Sequence, residues 1–376
     1  MDILDRTIKS ALNEFLQEKI VLLTGPRQVG KTTLAKQLRS KFDYLNFDES
    51  THRSILSKKE WKRDTDLVIF DEIHKMRGWK RWLKGIYDTE GVKPQILVTG
   101  SARMDTYRKG GDSLAGRHYL LHLLPLSVRE VDQTQPQKVL DQMLIHGSFP
   151  EPFFKNSDRA SKLWRKSHLD VILREDLLDL ENVKNIKGME LLIDLLAQRV
   201  GSTLSYASLA KDLEVSPHTI KHWIAILSSL YIVFVVTPYS KQISKAIVKE
   251  PKIYFYDTGR VTAGEAARVE NTVAIHLLKR ALFLQDVNGE ETGLFYLKDK
   301  EKREIDFVTV LNHKLEYLIE VKTSDNSFSN SLIYYQQKLN PLKGAVQAVY
   351  HLDRERQTES GLKMVLLSTF LNSLET

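Results

Sequence analysis

Residues 25–32 read GPRQVGKT: a glycine, four residues, a second glycine, then lysine and threonine. This spacing is that of a phosphate-cradling turn, and it lies between an apolar β-rich run, IVLLT, and a helical run, TTLAKQL. The two glycines let the backbone turn its N–H groups inward, which a side chain at either position would hinder. From Ile20 to Leu124 the same alternation continues through IVLLTG, YLNFDES, LVIFDE, QILVTGS and HYLLHLLPL. Strands separated by helices require crossover connections, so this part of the chain is predicted to be α/β with a mostly parallel sheet.

The chemistry of such a turn follows from its residues. Gly25, Pro26, Arg27, Gln28, Val29, Gly30, Lys31, Thr32 and Thr33 form the stretch expected to hold the phosphates of ATP, with the positive end of the following helix aimed at them. Lys31 would reach the β- and γ-phosphates, and the Thr32 hydroxyl would ligate Mg2+. Downstream, LVIFDE ends an apolar strand in two acids. Asp71 is placed to hold the magnesium through water, and Glu72 to orient or deprotonate the attacking water. QILVTGS ends in Ser101, a candidate sensor of the γ-phosphate, and is followed by a polar, glycine-rich loop containing Arg103 and Arg108 and leading to Arg117. Arg117 is the choice for an arginine finger acting in trans within a ring of subunits; the alternative is a solvated loop arginine.

Composition narrows the partners. A length of 376 residues suggests two or three domains. The 42% hydrophobic content includes no uninterrupted apolar run near the ~20 residues of a membrane span. Residues 1–12 carry no signal-like pattern, so no membrane partner and a cytoplasmic location are expected. Without cysteine, a metal must be held by oxygen or imidazole, which favours Mg2+ or Mn2+. A net charge of +7 is compatible with a polyanionic partner such as DNA.

Two later stretches carry further signals. In SYASLAKDLEVSPHTIKHWIAILSSLYIVFVV, Leu209 and Leu213, then Ile220, Ile224 and Leu227, give the apolar faces of a helix-turn-helix, with Ser216 as N-cap and Pro217 at the first helical position. The strand that follows, with KIYFY, could supply a wing. His218, Lys221 and His222 fall on the exposed side of the second helix, where they would meet DNA phosphates or base edges; a protein-docking role is the alternative. In EIDFVTVLNHKLEYLIEVKTS, Glu320 and Lys322 share one face of a strand, and a hairpin through NHKLE would bring Asp306 alongside Glu320. Such charges either pair on an exposed sheet face or surround a cation, because buried and unpaired they would be costly.

Several motifs together resemble the prokaryotic AAA-type ATPases of the AAA_14 kind: the P-loop, the DE strand end, TGSA, LAGR, LLPLSVRE, HGSFPEP, REDLLDLE and YFYDTGR. The resemblance implies an AAA+ ATPase using ATP and Mg2+, joined to a C-terminal domain of unknown function with a restriction-endonuclease-like fold. The order of helix acid, strand aspartate and Glu-x-Lys is also similar to the PD-(D/E)xK nuclease core. By that resemblance Glu270, Asp306 and Glu320 would bind Mg2+ or Mn2+, the Val321 carbonyl would add a ligand, and Lys322 would position the hydrolytic water. Gln336 is a further candidate.

The expected architecture is α/β throughout: an AAA+ P-loop NTPase domain over 1–150, a helical and winged-helix region over 151–255, and a nuclease-like domain over 256–376. The expected function is a homo-oligomeric motor, in the limit a hexameric ring, acting on duplex, forked or branched DNA as a helicase, translocase or branch-migration engine, with metal-dependent cleavage left open. The alternatives are a nucleotide-controlled protein-interaction switch whose nuclease-like domain is non-catalytic, and a metal nuclease gated by ATP binding.

Overall fold

Five strands build the N-terminal sheet: β1 (Ile20–Thr24), β2 (Phe42–Asn46), β3 (Leu67–Asp71), β4 (Gln95–Gly100) and β5 (His118–His122). Their order is β2-β3-β4-β1-β5, and every neighbouring pair is parallel. β1 and β3 are buried along their whole length, which is why IVLLT and LVIFD read as unbroken apolar runs instead of alternating ones. The helix Trp79–Glu90 buries Trp79, Leu83 and Ile86, one face at helical spacing. With Leu56 and Trp61 these side chains close over Ile20, Leu22, Val68 and Phe70 in one apolar cluster. The computed structural model describes residues 4–100, 114–176, 185–240, 250–324 and 327–374.

The chain forms two compact units, Met1–Leu124 with Arg174–Glu181 and Ser229–Tyr231 being the first, and Pro125–Leu173, Asn182–Ser228 and Ile232–Thr376 the second. The boundary drawn at residue 150 from sequence therefore falls inside the second unit. There Leu126 N donates to Ser148 O at 2.8 Å, and Ser127 and Glu130 form a capping box that starts the helix Val128–Val131.

The second unit contains one eight-stranded sheet built from β6 (Val233–Pro238), β7 (Lys252–Phe255), β8 (Thr292–Lys298), β9 (Glu304–Leu311), β10 (Lys314–Ser324), β11 (Gly344–His351), β12 (Arg356–Gln357) and β13 (Lys363–Leu366). The order is β12-β13-β11-β10-β9-β8-β6-β7. Asn312 and His313 both sit at positive φ, 49° and 63°, the backbone of a two-residue turn that joins β9 to β10 as a hairpin. The helices Tyr206–Asp212 and Pro217–Ser229 follow one another across a short connection, and Ser216 Oγ accepts from Thr219 N at 3.0 Å. β6 and β7 then pair antiparallel, but β6 also pairs with β8 through Thr237 and Phe295. The two strands thus extend the large sheet, and the sequence boundary at 255 separates residues that one hydrogen-bonded layer unites. Asn271, fully buried in the helix Glu265–Asn288, exchanges hydrogen bonds with both backbone groups of Phe255 and pins that helix to β7.

Candidate functional site

The P-loop leaves β1 through three residues at positive φ: Gly25 at 150°, Gln28 at 61° and Gly30 at 100°. Only glycine fits the first position, since a Cβ there would stand 2.1 Å from Leu123 O. Gly25, Pro26 and Val29 are buried, Arg27, Gly30 and Thr32 are half-buried, and Gln28 and Thr33 face outward. Lys31 opens the helix Lys31–Lys36 and folds back over the loop, its Nζ donating to Gly25 O at 2.9 Å and Pro26 O at 2.7 Å. Arg6 braces the loop by donating to Val29 O at 3.1 Å and to Leu124 O.

Asp71 ends β3 beneath this loop. Its Oδ2 accepts from Thr32 Oγ1 at 3.1 Å and from Tyr44 OH at 2.6 Å, while Oδ1 accepts from Thr99 Oγ1 at 2.5 Å. The register explains the convergence, because Asn46, Asp71 and Thr99 lie side by side at the ends of three parallel strands. Burial, then the Asp71 carboxylate, holds the Tyr44 hydroxyl above the usual phenol range. Thr32 and Asp71 fit the donor set that magnesium takes, two oxygens from separate elements meeting at the phosphate loop. Glu72 follows at φ 56°, a left-handed conformation that is costly for a glutamate, and its N–H donates to Thr99 O at 2.9 Å. His74 Nε2 lies 3.5 Å from Glu72 Oε2. Burial, helped by Lys75 and Lys31, lowers the His74 pKa to about 4, so a neutral imidazole stands beside the carboxylate at neutral pH.

Ser101, Arg103 and Arg108 lie outside the described residues. Arg117 Nε donates to Asp88 Oδ1 at 2.7 Å and Nη1 to Ala115 O at 3.3 Å, so this arginine is engaged within its own unit.

In the second unit the acids expected to act together do converge, around a cation that sequence reasoning missed. Lys252 Nζ lies 3.2 Å from Glu270 Oε1, 2.7 Å from Glu304 Oε1 and 3.6 Å from Asp306 Oδ1. Tyr254 OH donates to Glu270 Oε1 at 2.6 Å, and Val321 N donates to Asp306 Oδ2 at 2.9 Å. Glu320 Oε1 pairs with Lys322 at 2.9 Å, and Glu304 Oε2 with Lys298 at 2.8 Å. β9 bulges against β8 at this point: Ile305 to Val308 spans three steps opposite the two from Phe295 to Leu297. Strict alternation therefore fails through Asp306 and Phe307. Burial, then the Glu270 and Glu320 charges, drives the Asp306 carboxyl well above its ordinary range, and burial also raises Glu320. Burial opposes the charged forms of Lys252 and Glu304 as well, but the Glu270, Asp306 and Glu304 charges raise the lysine, and Lys252, then Lys298, lowers the glutamate.

This arrangement does not fit the expected divalent metal. An ammonium stands among the carboxylates, and among the described residues no group of three or more His, Cys, Asp or Glu is arranged to hold a metal ion. Lys322, expected to position a water, is the ion-pair partner of Glu320. Gln336 points elsewhere, donating to Ser360 O at 2.7 Å. On the helix Pro217–Ser229, His218, Lys221 and His222 are exposed while Ile220, Ile224 and Leu227 are buried. No described helix is long and apolar enough to cross a membrane.

Comparison with known proteins finds three matched segments. Residues 17–132 match the AAA_14 family, an AAA domain; residues 137–268 and 266–370 match two domains of unknown function, DUF8612 and DUF4143. An uncharacterised protein of Mycobacterium tuberculosis is 27% identical over 324 residues, which is 83% of this chain and 72% of that protein. One from Methanocaldococcus jannaschii is 22% identical over 368 residues, 88% of this chain and 81% of that protein. Among solved structures, the Thermotoga maritima RuvB Holliday junction branch migration motor is similar at TM-score 0.30 and 18% identity, covering 65% of this chain and 94% of its own. The segment that carries the P-loop and the β3 acids is thus the one similar to AAA domains of the AAA_14 kind.

Proposed function

We propose that this chain is an ATP-hydrolysing AAA+ motor that binds and remodels DNA as a homo-oligomer. The observation that carries the proposal is the meeting of Thr32 and Asp71 at 3.1 Å directly beneath a loop whose Lys31 ammonium is folded over its carbonyls. Bound Mg2+ would offset the charge of the phosphates, and Thr32 and Asp71 are the residues that would hold it. Lys31 exchanges backbone carbonyls for phosphate oxygens, and Glu72 receives the proton of the attacking water. The exposed triad of His218, Lys221 and His222 supports contact with DNA through phosphates, a mode that weakens steeply with salt. In a ring, Arg117 would have to leave Asp88 to reach a neighbour's nucleotide.

The test is ATP turnover measured with and without duplex, forked and branched DNA at low salt. DNA should raise the rate, and Lys221→Ala should reduce the stimulation without touching the basal rate. A rate indifferent to every DNA, with no binding, sinks the DNA-acting reading. The second reading, a nucleotide-controlled protein-interaction switch with a non-catalytic C-terminal domain, is favoured by the Lys252 ammonium within the acid cluster. It predicts turnover that responds to a protein partner and to no DNA.

A further inference from the structure

Lys252 opens β7 with a side chain only 1% exposed, so a full positive charge has been carried into the interior of the second unit. Desolvating an ammonium is costly and is tolerated only where carboxylates compensate it closely. Glu304, Glu270 and Asp306 do so from 2.7, 3.2 and 3.6 Å, and the Tyr296 ring centre lies 5.5 Å from the same nitrogen. Glu320, only 9% exposed, is held by a lysine of its own, Lys322, at 2.9 Å.

We propose that Lys252 is the resident cation of this cluster, its ammonium standing where a divalent ion would otherwise be held. The C-terminal unit then keeps its acids without binding metal, and the cluster fastens β7 to β9 and the helix Glu265–Asn288 in place of cutting phosphodiester bonds. The charges support this: Lys252, Lys298 and Lys322 face Glu270, Glu304, Asp306 and Glu320, leaving one carboxylate in excess. One proton closes that difference, whereas a divalent ion added beside Lys252 would bring two further positive charges against a single excess negative one. The inference concerns the second unit alone and stands whichever way the ATPase test falls.

The experiment is Mn2+ uptake followed by electron paramagnetic resonance, on the nucleotide-free full chain carrying Asp71→Asn so that the P-loop ligand is removed. With Lys252 present, adding Asp306→Asn should leave manganese uptake unchanged. Lys252→Met should create about one new site, at least ~10-fold tighter than any the parent shows, and adding Asp306→Asn should abolish it. A parent chain whose manganese site disappears with Asp306→Asn overturns the proposal. That arm leaves Lys252 untouched, so it decides the matter even where Lys252→Met does not fold. A Lys252→Met chain that folds, by its circular dichroism melt, yet takes up no manganese also overturns it.

Discussion

Asp71 at the end of β3 and Asp306 within β9 are both strand aspartates with close partners, and the chemistry of those partners differs. Asp71 accepts hydrogen bonds from the hydroxyls of Thr32, Tyr44 and Thr99. Asp306 shares the Lys252 ammonium with Glu270 and Glu304. Hydroxyls orient a carboxylate without offsetting its charge, which is the surrounding that the proposed magnesium site needs. Ammonium groups offset charge, and the three lysines of the second cluster leave a single carboxylate in excess. An acidic motif is thus read by what surrounds it.

The largest effect that can break this comparison is kinetic. Lys31→Ala and Glu72→Gln should each lower ATP turnover by at least ~100-fold, as expected for loss of a phosphate ligand or a general base. Phosphate release at the parent rate from either variant would show that the phosphate loop and the acid pair after β3 are not a catalytic site.

Next comes stability in the second unit, where Arg280 holds the buried Glu316 through two hydrogen bonds of 2.9 and 2.7 Å. Arg280→Ala should destabilise the chain by ~1.5–3 kcal/mol in urea unfolding, because it removes two charge-assisted hydrogen bonds from a buried carboxylate and leaves it only Lys343 at 3.3 Å and Thr309 at 3.2 Å. Arg280→Met combined with Glu316→Leu should recover most of that loss; failure to recover would mean that shape, not charge, sets the cost.

A smaller effect is the pH dependence of the same unit. The Asp306 carboxyl is raised by burial, then by Glu270 and Glu320, so the folded state binds its proton more tightly than the unfolded chain does. Its contribution to stability is full below the ordinary carboxylate pKa, ~3.9, and is lost as pH rises through the raised folded value. Asp306→Asn keeps that position neutral, and its thermal midpoint should fall less than the parent's between about pH 4 and pH 8. Parallel pH profiles for the two chains would remove Asp306 as the source.

The smallest is Tyr44→Phe, which removes one hydroxyl from Asp71. The expected cost is ~0.5–1.5 kcal/mol of stability, with a modest fall in the Mg2+ concentration needed for nucleotide binding, since one competing donor is gone. A rise in that concentration would make Tyr44 a helper of the metal site.

How much was legible from sequence depended on distance along the chain. The P-loop is eight consecutive residues, and the β3 acids end an apolar run, so both could be read locally. Ser216 and the buried face of the helix Pro217–Ser229 were legible for the same reason. Tyr44 and Thr99 were not, because they reach Asp71 only through parallel register across β2, β3 and β4. Arg6 precedes the first strand and carries no spacing signal, although it braces the loop.

The C-terminal cluster divides in the same way. The two-residue turn at Asn312 and His313 made the approach of Asp306 and Glu320 predictable, since a hairpin is local. Lys252 begins a short strand far upstream, and the sheet order β9-β8-β6-β7 together with its burial is what delivers its ammonium to those acids. By itself the amino-acid sequence determined the phosphate loop, the parallel sheet that carries it and the positions of the acids, because periodicity and turn chemistry act between near neighbours. Which cation the second set of acids keeps was decided only in the tertiary structure, because charge neutralisation in a low-dielectric interior depends on distances in space that no spacing in sequence encodes.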